Sequence, residues 1–409
     1  MLNWLKRRFE SRNMARSTAV VEYSGQGKKN APIYKNWTIA KAVKEGFKSN
    51  TWVYRSVVLI TDACSSVPWS VYRDDSLSDP LPDHALTKLL KAPNPNFSKQ
   101  DMFEMLVSWL ELSGNSYFYK TQVDAKTVEL WPISPDLIVP VTPAKVDEWV
   151  GGYKLTREKN KRKITFTADQ IIHHKYFNPA DALLGIGPLE IAGPVVDIDN
   201  DQKDFNKDAA QNRGIIDGVF AFKKDIPDQD TADALRDRIE ESYKKKRKNI
   251  VLGSEAKYIR TAMTPTEMDF TQSRKDNRDE IFITFGIPPA LGGSMDASTY
   301  NNYQVSEWIF WTATIIPKLK KIADTFNLAF RDEKKEQEQI APMLNKVPAI
   351  RQMVSEKSKI AERLSKAGIP VQQINQILEL GVKKYKGWDQ PYRSSSSGNN
   401  KNPDTTEGE

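Results

Sequence analysis

Thr264-Pro-Thr-Glu-Met-Asp-Phe-Thr-Gln-Ser-Arg-Lys-Asp-Asn-Arg-Asp-Glu-Ile-Phe-Ile-Thr-Phe-Gly-Ile-Pro-Pro289 is punctuated as a helix at both ends. Thr264 is a candidate N-cap, Pro265 sits at the first helical position and Glu267 at the third. Gly286-Ile-Pro-Pro289 ends the segment abruptly, so the helix should run to Phe285. Its middle is the anomaly. Thr271 to Glu280 has no apolar face but carries three basic residues (Arg274, Lys275, Arg278) and three acidic ones (Asp276, Asp279, Glu280). A helix that is polar all round bridges between bodies, is laced by ion pairs, or is not stable.

The segment upstream is also odd. Residues 215–262 read as a small inserted module. Gly218-Val-Phe-Ala-Phe222 reads as a strand, Asp228 can cap a helix with the stripe Ala232, Leu235, Ile239 and Tyr243, and Ile250–Leu252 and Lys257–Arg260 read as short strands. One narrow apolar stripe cannot hold such a module together, so it needs neighbours. Its helix ends in Lys244-Lys245-Lys246-Arg247-Lys248. That run either pairs with the helix dipole or contacts nucleic acid or an acidic partner. Before the module, a helix entered at Pro188 carries Leu189, Ala192, Val195, Val196, Phe205 and Ala209, and Asn212-Arg-Gly214 closes it.

Downstream, Gly292-Gly-Ser-Met-Asp-Ala-Ser298 is a small-residue loop: a plain connector or a mobile loop facing a ligand. A long helix over about Tyr300–Phe330 follows, with Trp308, Trp311, Ile315, Leu319, Ile322 and Phe326, and Pro317 should kink it. Residues 331–387 read as helical with a break at Gly368-Ile-Pro370, and 391–409 as a disordered polar tail.

The N-terminal half is α+β. After a flexible arm over 1–35, a helix is expected from Thr51 to Ser65, stopped by Pro68, then a strand Trp69–Arg73 and a short helix over 83–91. Ser98 and Asp101 form a capping-box pattern before Met102, Met105, Leu106, Trp109 and Leu110, and Gly114 supplies the stop. Tyr117–Val123, Leu137–Val139, Lys163–Thr167 and Ile171–His174 read as strands.

Little here supports enzyme chemistry. The chain holds three histidines, and His173 and His174 are neighbours in a strand, where they point to opposite faces and do not share a metal. No nucleophile elbow and no phosphate loop occur. Gly185-Ile-Gly-Pro-Leu-Glu190 begins like a dinucleotide fingerprint, but Glu190 stands at its last position and Pro188 removes an amide. Asp197-x-Asp199-x-Asp201 lacks the turn glycine of a calcium loop and reads as a solvated helix face. No metal or cofactor is expected. The net charge of +7 over 409 residues permits a polyanionic partner without requiring one. The single cysteine, Cys64, forms no intrachain disulfide and suits a reducing site of assembly. No apolar run is long enough for a membrane span, and the N-terminal charge order is the reverse of a secretory signal.

Several blocks, in order, resemble the tailed-bacteriophage portal family over about residues 45–385: Val53-Tyr-Arg-Ser-Val-Val-Leu-Ile-Thr-Asp with Val67–Arg73, His84–Asn96, Gly114-Asn-Ser-Tyr117, Leu130–Asp136, Gly185–Leu189, the Phe205–Gly214 stretch and Phe285–Gly292. The resemblance implies a non-catalytic subunit of a ring, commonly of twelve copies, around a DNA channel. It implies an α+β portal fold with an α/β wing (36–190), a stem of two helices (188–214 and 263–286), a small α/β clip (215–262), a tunnel loop (287–302), a long kinked wing helix (303–330) and a helical crown (331–390).

Three sets of site residues follow from the same resemblance. Gly292, Gly293, Ser294, Met295, Asp296, Ser298, Thr299, Asn301 and Asn302 would face DNA. Lys244 to Lys248 would meet a docking partner. The six charged residues from Arg274 to Glu280 would face the channel or the next subunit. Implied partners are double-stranded DNA held without sequence preference, the terminase large subunit, head-completion and tail adaptor proteins, and the major capsid or scaffold protein. The implied place is the capsid portal vertex of the virion, after assembly in the host cytoplasm. A rival reading is a sequence-specific DNA-binding regulator, because Lys366-Ala-Gly-Ile-Pro-Val-Gln-Gln-Ile-Asn375 looks like a helix-turn-helix corner.

Overall fold

The computed structural model describes residues 37–143, 149–156, 163–211, 218–222, 233–234, 237, 256–260, 270–293, 300–378 and 388–390. A helical turn, Ile39–Lys41, leads through a π turn, Ala42–Phe47, to Asn50. The Asn50 side chain accepts from the amides of Trp52 and Val53 at 3.0 and 3.2 Å and so caps α1, Thr51–Ser66. Val53, Val57, Ile60 and Cys64 recur at helical spacing and are buried, each large aliphatic side chain contributing about 1.5–3 kcal/mol relative to exposure. Pro68 ends the helix and the chain enters β1, Trp69–Tyr72, followed by β2, Pro80–Leu81, and α2, Ala85–Lys91.

The capping box forms as its sequence pattern indicates. The Asp101 amide donates to Ser98 Oγ at 3.2 Å and the Ser98 amide to Asp101 Oδ2 at 2.9 Å, starting α3, Lys99–Ser113. Gly114, at φ +73°, stops it. The four expected strands appear as β3 (Asn115–Val123), β5 (Ile138–Pro140), β7 (Lys163–Phe166) and β8 (Ile171–Lys175). Sequence reading passed over three others, the short β2, β4 (Lys126–Ile133) and β6 (Tyr153–Thr156). Charges and Pro132 obscure β4, but it is the edge strand of the antiparallel sheet β4-β3-β8, where a proline is tolerated. A second three-stranded antiparallel sheet has the order β5-β6-β7.

β3 joins two cores. Phe118 points into the main one, with Phe103, Phe326 and Leu130, whereas Tyr117 points into a small one with Ile138, Tyr153 and Ile171. His173 and His174 divide the same way: His173 stacks on Tyr117 at 4.2 Å, and His174 meets Phe326 edge-on at 4.7 Å. The two imidazoles therefore serve opposite faces of one strand, as expected.

α4 spans Pro188–Gln211, β9 Gly218–Phe222 and β10 Ala256–Arg260, and the last two pair antiparallel from Gly218↔Arg260 to Phe222↔Ala256. α5 is Phe270–Phe285 and α6 is Tyr300–Ile309. The expected kink at Pro317 takes the form of a π turn, Phe310–Ile315, directly before α7, Ile316–Ala329. Pro317 lacks an amide and crowds the preceding turn, and the wider π turn accommodates both effects.

The stretch after α7 departs from the helical expectation. Gln339–Pro342 is a strand, β11, pairing antiparallel with β1 from Trp69↔Pro342 to Tyr72↔Gln339. Asn327 holds it from α7: its amide group donates to the Ile340 carbonyl at 2.9 Å and its side-chain oxygen accepts from the Ile340 amide at 2.8 Å. β1 is buried along its whole length, so its free edge needs this partner. Helix resumes only at α8, Pro348–Lys366, and α9, Val371–Leu378.

Candidate functional site

The anomalous polar helix is α5, and its inner face is now legible. The positions turned inward are Ser273, Arg274, Asn277, Arg278, Ile281, Phe282 and Phe285, one stripe at helical spacing. The stripe is polar for two turns and apolar for the last two. Ile281, Phe282 and Phe285 belong to the main core. The polar turns face α4. Arg274 Nε donates to Asp199 Oδ1 at 3.0 Å, Asn277 Nδ2 to Gln202 Oε1 at 3.2 Å, and Gln202 Nε2 to Ser273 Oγ at 2.8 Å.

Asp199 is the centre of this contact. It is only 1% exposed, and its second oxygen accepts from Asn50 Nδ2 at 2.9 Å, so the residue that caps α1 also clamps α4. Asp197 pairs with Lys41 at 2.9 Å, and Asp201 is exposed. The solvated-face reading of these three acids therefore holds for Asp201 alone. A buried carboxylate needs a compensating charge and hydrogen bonds, and Arg274 and Asn50 supply them from distant segments.

Of the six charged residues assigned to channel or inter-subunit contacts, Arg274 is thus engaged inside the subunit. Arg278 is too: it lies 2.8 Å from Asp279 and 5.8 Å from the Trp52 ring. Lys275, Asp276 and Glu280 are exposed, Asp279 is half-buried, and Gln272 Nε2 donates to Asp276 at 2.8 Å. Ile191 of α4 and Thr284 of α5 line one groove while Asp199 meets Arg274, so the two helices run antiparallel.

The turn after α5 is held at Gly286, φ +76°, where Thr314 Oγ1 donates to its carbonyl. Gly292 packs so closely on Phe282 that a Cβ there would lie 2.1 Å from the ring. Gly293, at φ +102°, has nothing within 4 Å of where a Cβ would stand. Ser294, Met295, Asp296, Ser298 and Thr299, the side chain of Asn301 and the run Lys244–Lys248 lie outside the described residues; Asn302 is exposed in the first turn of α6. Among the described residues no group of three metal-ligating side chains gathers, and no helix is long and apolar enough to cross a membrane. The suspected helix-turn-helix corner exists, with Gly368 at φ +86° between α8 and α9, but α9 carries no lysine or arginine with which to read DNA.

Residues 51–372, most of the chain, match the family model described as phage portal protein. The chain belongs to the phage portal protein family. An uncharacterized protein of Rickettsia bellii is 30% identical over 316 residues, covering 72% of this chain and 79% of its own. The portal protein of Enterobacteria phage HK97 is 26% identical over 268 residues, covering 60% of this chain and 58% of its own. Among solved structures, a chain from the neck of a native GTA particle, computed with C12 symmetry, superposes with a TM-score of 0.62 at 24% identity, covering 86% of this chain and 95% of that one. At that identity the likeness speaks for the fold.

For a phage portal protein, two of the shared blocks now have a physical reason. Gly114-Asn115 and Gly185-Ile-Gly187 form one joint between the start of β3 and the start of α4. A Cβ on Gly185 would lie 2.2 Å from the Gly114 carbonyl oxygen, and one on Gly187 would lie 2.6 Å from the Gly114 amide. Asn115 seals the joint: its Oδ1 accepts from the Gly185 amide at 2.7 Å and its Nδ2 donates to the Gly185 carbonyl at 3.0 Å. The glycine-rich decoy is therefore a backbone-to-backbone contact.

Sequence reading missed a second buried portal cluster. Glu111, fully buried in α3, meets Lys318 Nζ at 2.6 Å and accepts from the Tyr176 hydroxyl at 2.5 Å, tying α3, the end of β8 and α7 together. Burial and this carboxylate push the Tyr176 hydroxyl well above its usual range. The available signals were an acid inside Leu110-Glu-Leu112 and a lysine following Pro317 in an apolar run.

Proposed function

We propose that this chain is the repeating subunit of a portal ring, of twelve copies, at the capsid vertex, serving as head–tail connector and as the passage for double-stranded DNA. The family match over residues 51–372 carries this reading. The paired helices α4 and α5 support it physically. They are locked from within by a buried ion pair, so α5 can present a charged, wet outer face without losing its place. DNA passes by backbone charge and sterics, with no base reading. The role is structural and non-catalytic, and assembly takes place in the host cytoplasm.

In this arrangement residues 36–190 form the wing, the helices within 188–214 and 263–286 the stem, 215–262 the clip, 287–302 the tunnel loop, 303–330 the long wing helix and 331–390 the crown. The clip run Lys244–Lys248 docks the terminase large subunit and later the tail adaptors, and the wing meets the major capsid or scaffold protein. Negative-stain microscopy of the purified chain should give rings with an axial hole. Monomers or dimers at every concentration would overturn the reading. Reversing the Lys244–Lys248 charges should abolish packaging while leaving rings intact, and deleting Gly293–Ser298 should lower packaged DNA. Normal packaging would refute the corresponding assignment.

A further inference from the structure

Two of the apolar surfaces exposed among the described residues bear on assembly. The first is an open groove of about 480 Å³ at the head of the α4–α5 pair, lined by Phe177, Ile186, Pro188 and Ile191 and rimmed by Lys318 and Lys321. Phe177 is 75% exposed and Ile191 59%, high values for side chains of that size. The second is the outer stripe of α6: Val305, Trp308 and Ile309 stand at helical spacing on one face, all exposed, with Trp308 at 49%. No charged residue falls among them, because Glu307, the one charge of α6, lies round the helix on the less exposed side.

The chain cannot bring these surfaces together by itself. α6, the π turn and α7 form one interrupted helix, and at about 1.5 Å per residue Trp308 lies roughly 20 Å along it from Lys321 at the groove rim. The groove does not suit a second groove, since Lys321 on its rim would face its own counterpart. The stripe suits the groove, since it is apolar, contains an aromatic anchor and strands no charge when covered. A closed ring of more than two copies needs such a heterologous contact, in which each copy offers one surface and receives a different one.

We infer that the outer face of α6 in one copy seats in the Phe177–Ile191 groove of the next copy, making α6 the arm through which neighbouring subunits interlock. The inference rests on the ring reading above and adds the surfaces that close the ring.

Cross-linking tests it on the full chain. Phe177 and Ile309 are changed to cysteine, singly and together, and treated with a short bismaleimide; Cys64 is buried and stays silent. The double variant should give a ladder of covalent multimers and each single variant only monomer. In parallel, Trp308→Asp should raise the concentration needed for rings by about thirtyfold or more, with helix content and melting temperature unchanged. Dimers from a single variant would mean like faces meet and would overturn the inference. So would rings without a ladder together with unimpaired Trp308→Asp assembly, and in that case the ring reading stands. Absence of both rings and ladder in otherwise folded protein would remove the ring reading and this inference with it.

Discussion

Replacing Arg274 with Met keeps the stem of the side chain and removes the charge that meets Asp199. Asp199 is 1% exposed and stays behind with one hydrogen bond, from Asn50 at 2.9 Å. Stripping a partner from a buried ion pair typically costs about 3–5 kcal/mol. Here the Arg274 side chain is 34% exposed, so water can reach part of the vacated space, and Asn50 still serves one oxygen. A loss of about 2–3 kcal/mol is expected. The opposite change, Asp199→Asn, leaves Arg274 near solvent and keeps a side chain that can bond Asn50, so about 1 kcal/mol is expected. The double variant should be less destabilised than the sum, because the stranded carboxylate is gone. Urea unfolding of the dissociated subunit, with midpoints compared at constant slope, measures all three. If Arg274→Met cost no more than Asp199→Asn, or if the two effects simply added, the pair would not be the lock between α4 and α5.

Other perturbations probe separate parts of the subunit. Asp124 and Ala125 turn the β3–β4 hairpin at φ +49° and +60°, a left-handed conformation that disfavours a Cβ. Ala125→Gly should therefore raise stability by about 0.5–1 kcal/mol net of its unfolded-state entropy, read as a shifted urea midpoint. Gly185→Ala meets backbone on both sides and should cost at least about 1–3 kcal/mol or prevent folding, whereas Gly293→Ala meets nothing and costs only its positive φ; soluble yield and melting temperature distinguish them. Burial lowers His173 and His174 from 6.5 to about 3, so the unfolded chain binds more protons between those values. Stability is then fully present above about pH 6.5 and lost as pH falls toward 3, by up to about 1.4 kcal/mol per pH unit for each histidine. His174→Leu should flatten that slope without loss at pH 7, since neither His174 ring nitrogen has a hydrogen-bond partner.

Features written within a few residues were open to sequence reading. Ser98 and Asp101 fix the start of α3, Gly114 its end, and alternation assigns Tyr117 and Phe118 to opposite faces of β3. Features made between distant segments were not. Nothing in Gln339-Ile-Ala-Pro342 announces a strand, because its reason to extend is the bare edge of β1, set near the other end of the chain. The inner stripe of α5 escaped for a related cause. A search for apolar periodicity passes over Ser273, Arg274 and Asn277, whose period is right and whose chemistry matches Asp199 and Gln202. Polar complementarity leaves no mark on one helix alone. The π turn was half legible: Pro317 foretold an interruption, but the turn before the proline absorbed it.

That inner stripe changes what α5 can offer outward. Counted along the sequence, Arg274, Lys275 and Arg278 balance Asp276, Asp279 and Glu280. In the folded subunit Arg274 is turned to Asp199 of α4, and Arg278 is held by Asp279 and Trp52. The exposed charges that remain are Lys275 against Asp276 and Glu280, so a balanced sequence becomes an acidic outer face. On the proposed ring, where this face would meet the channel or the next subunit, one excess negative charge per copy would disfavour contact with a polyanion. The ion pair that holds the helix in place and the charge bias of its exposed side thus have one origin, the inward turn of the two arginines. Mutating Arg274 therefore reports first on how α5 is held, and its effect on DNA passage has to be judged in variants whose subunit stability is unchanged.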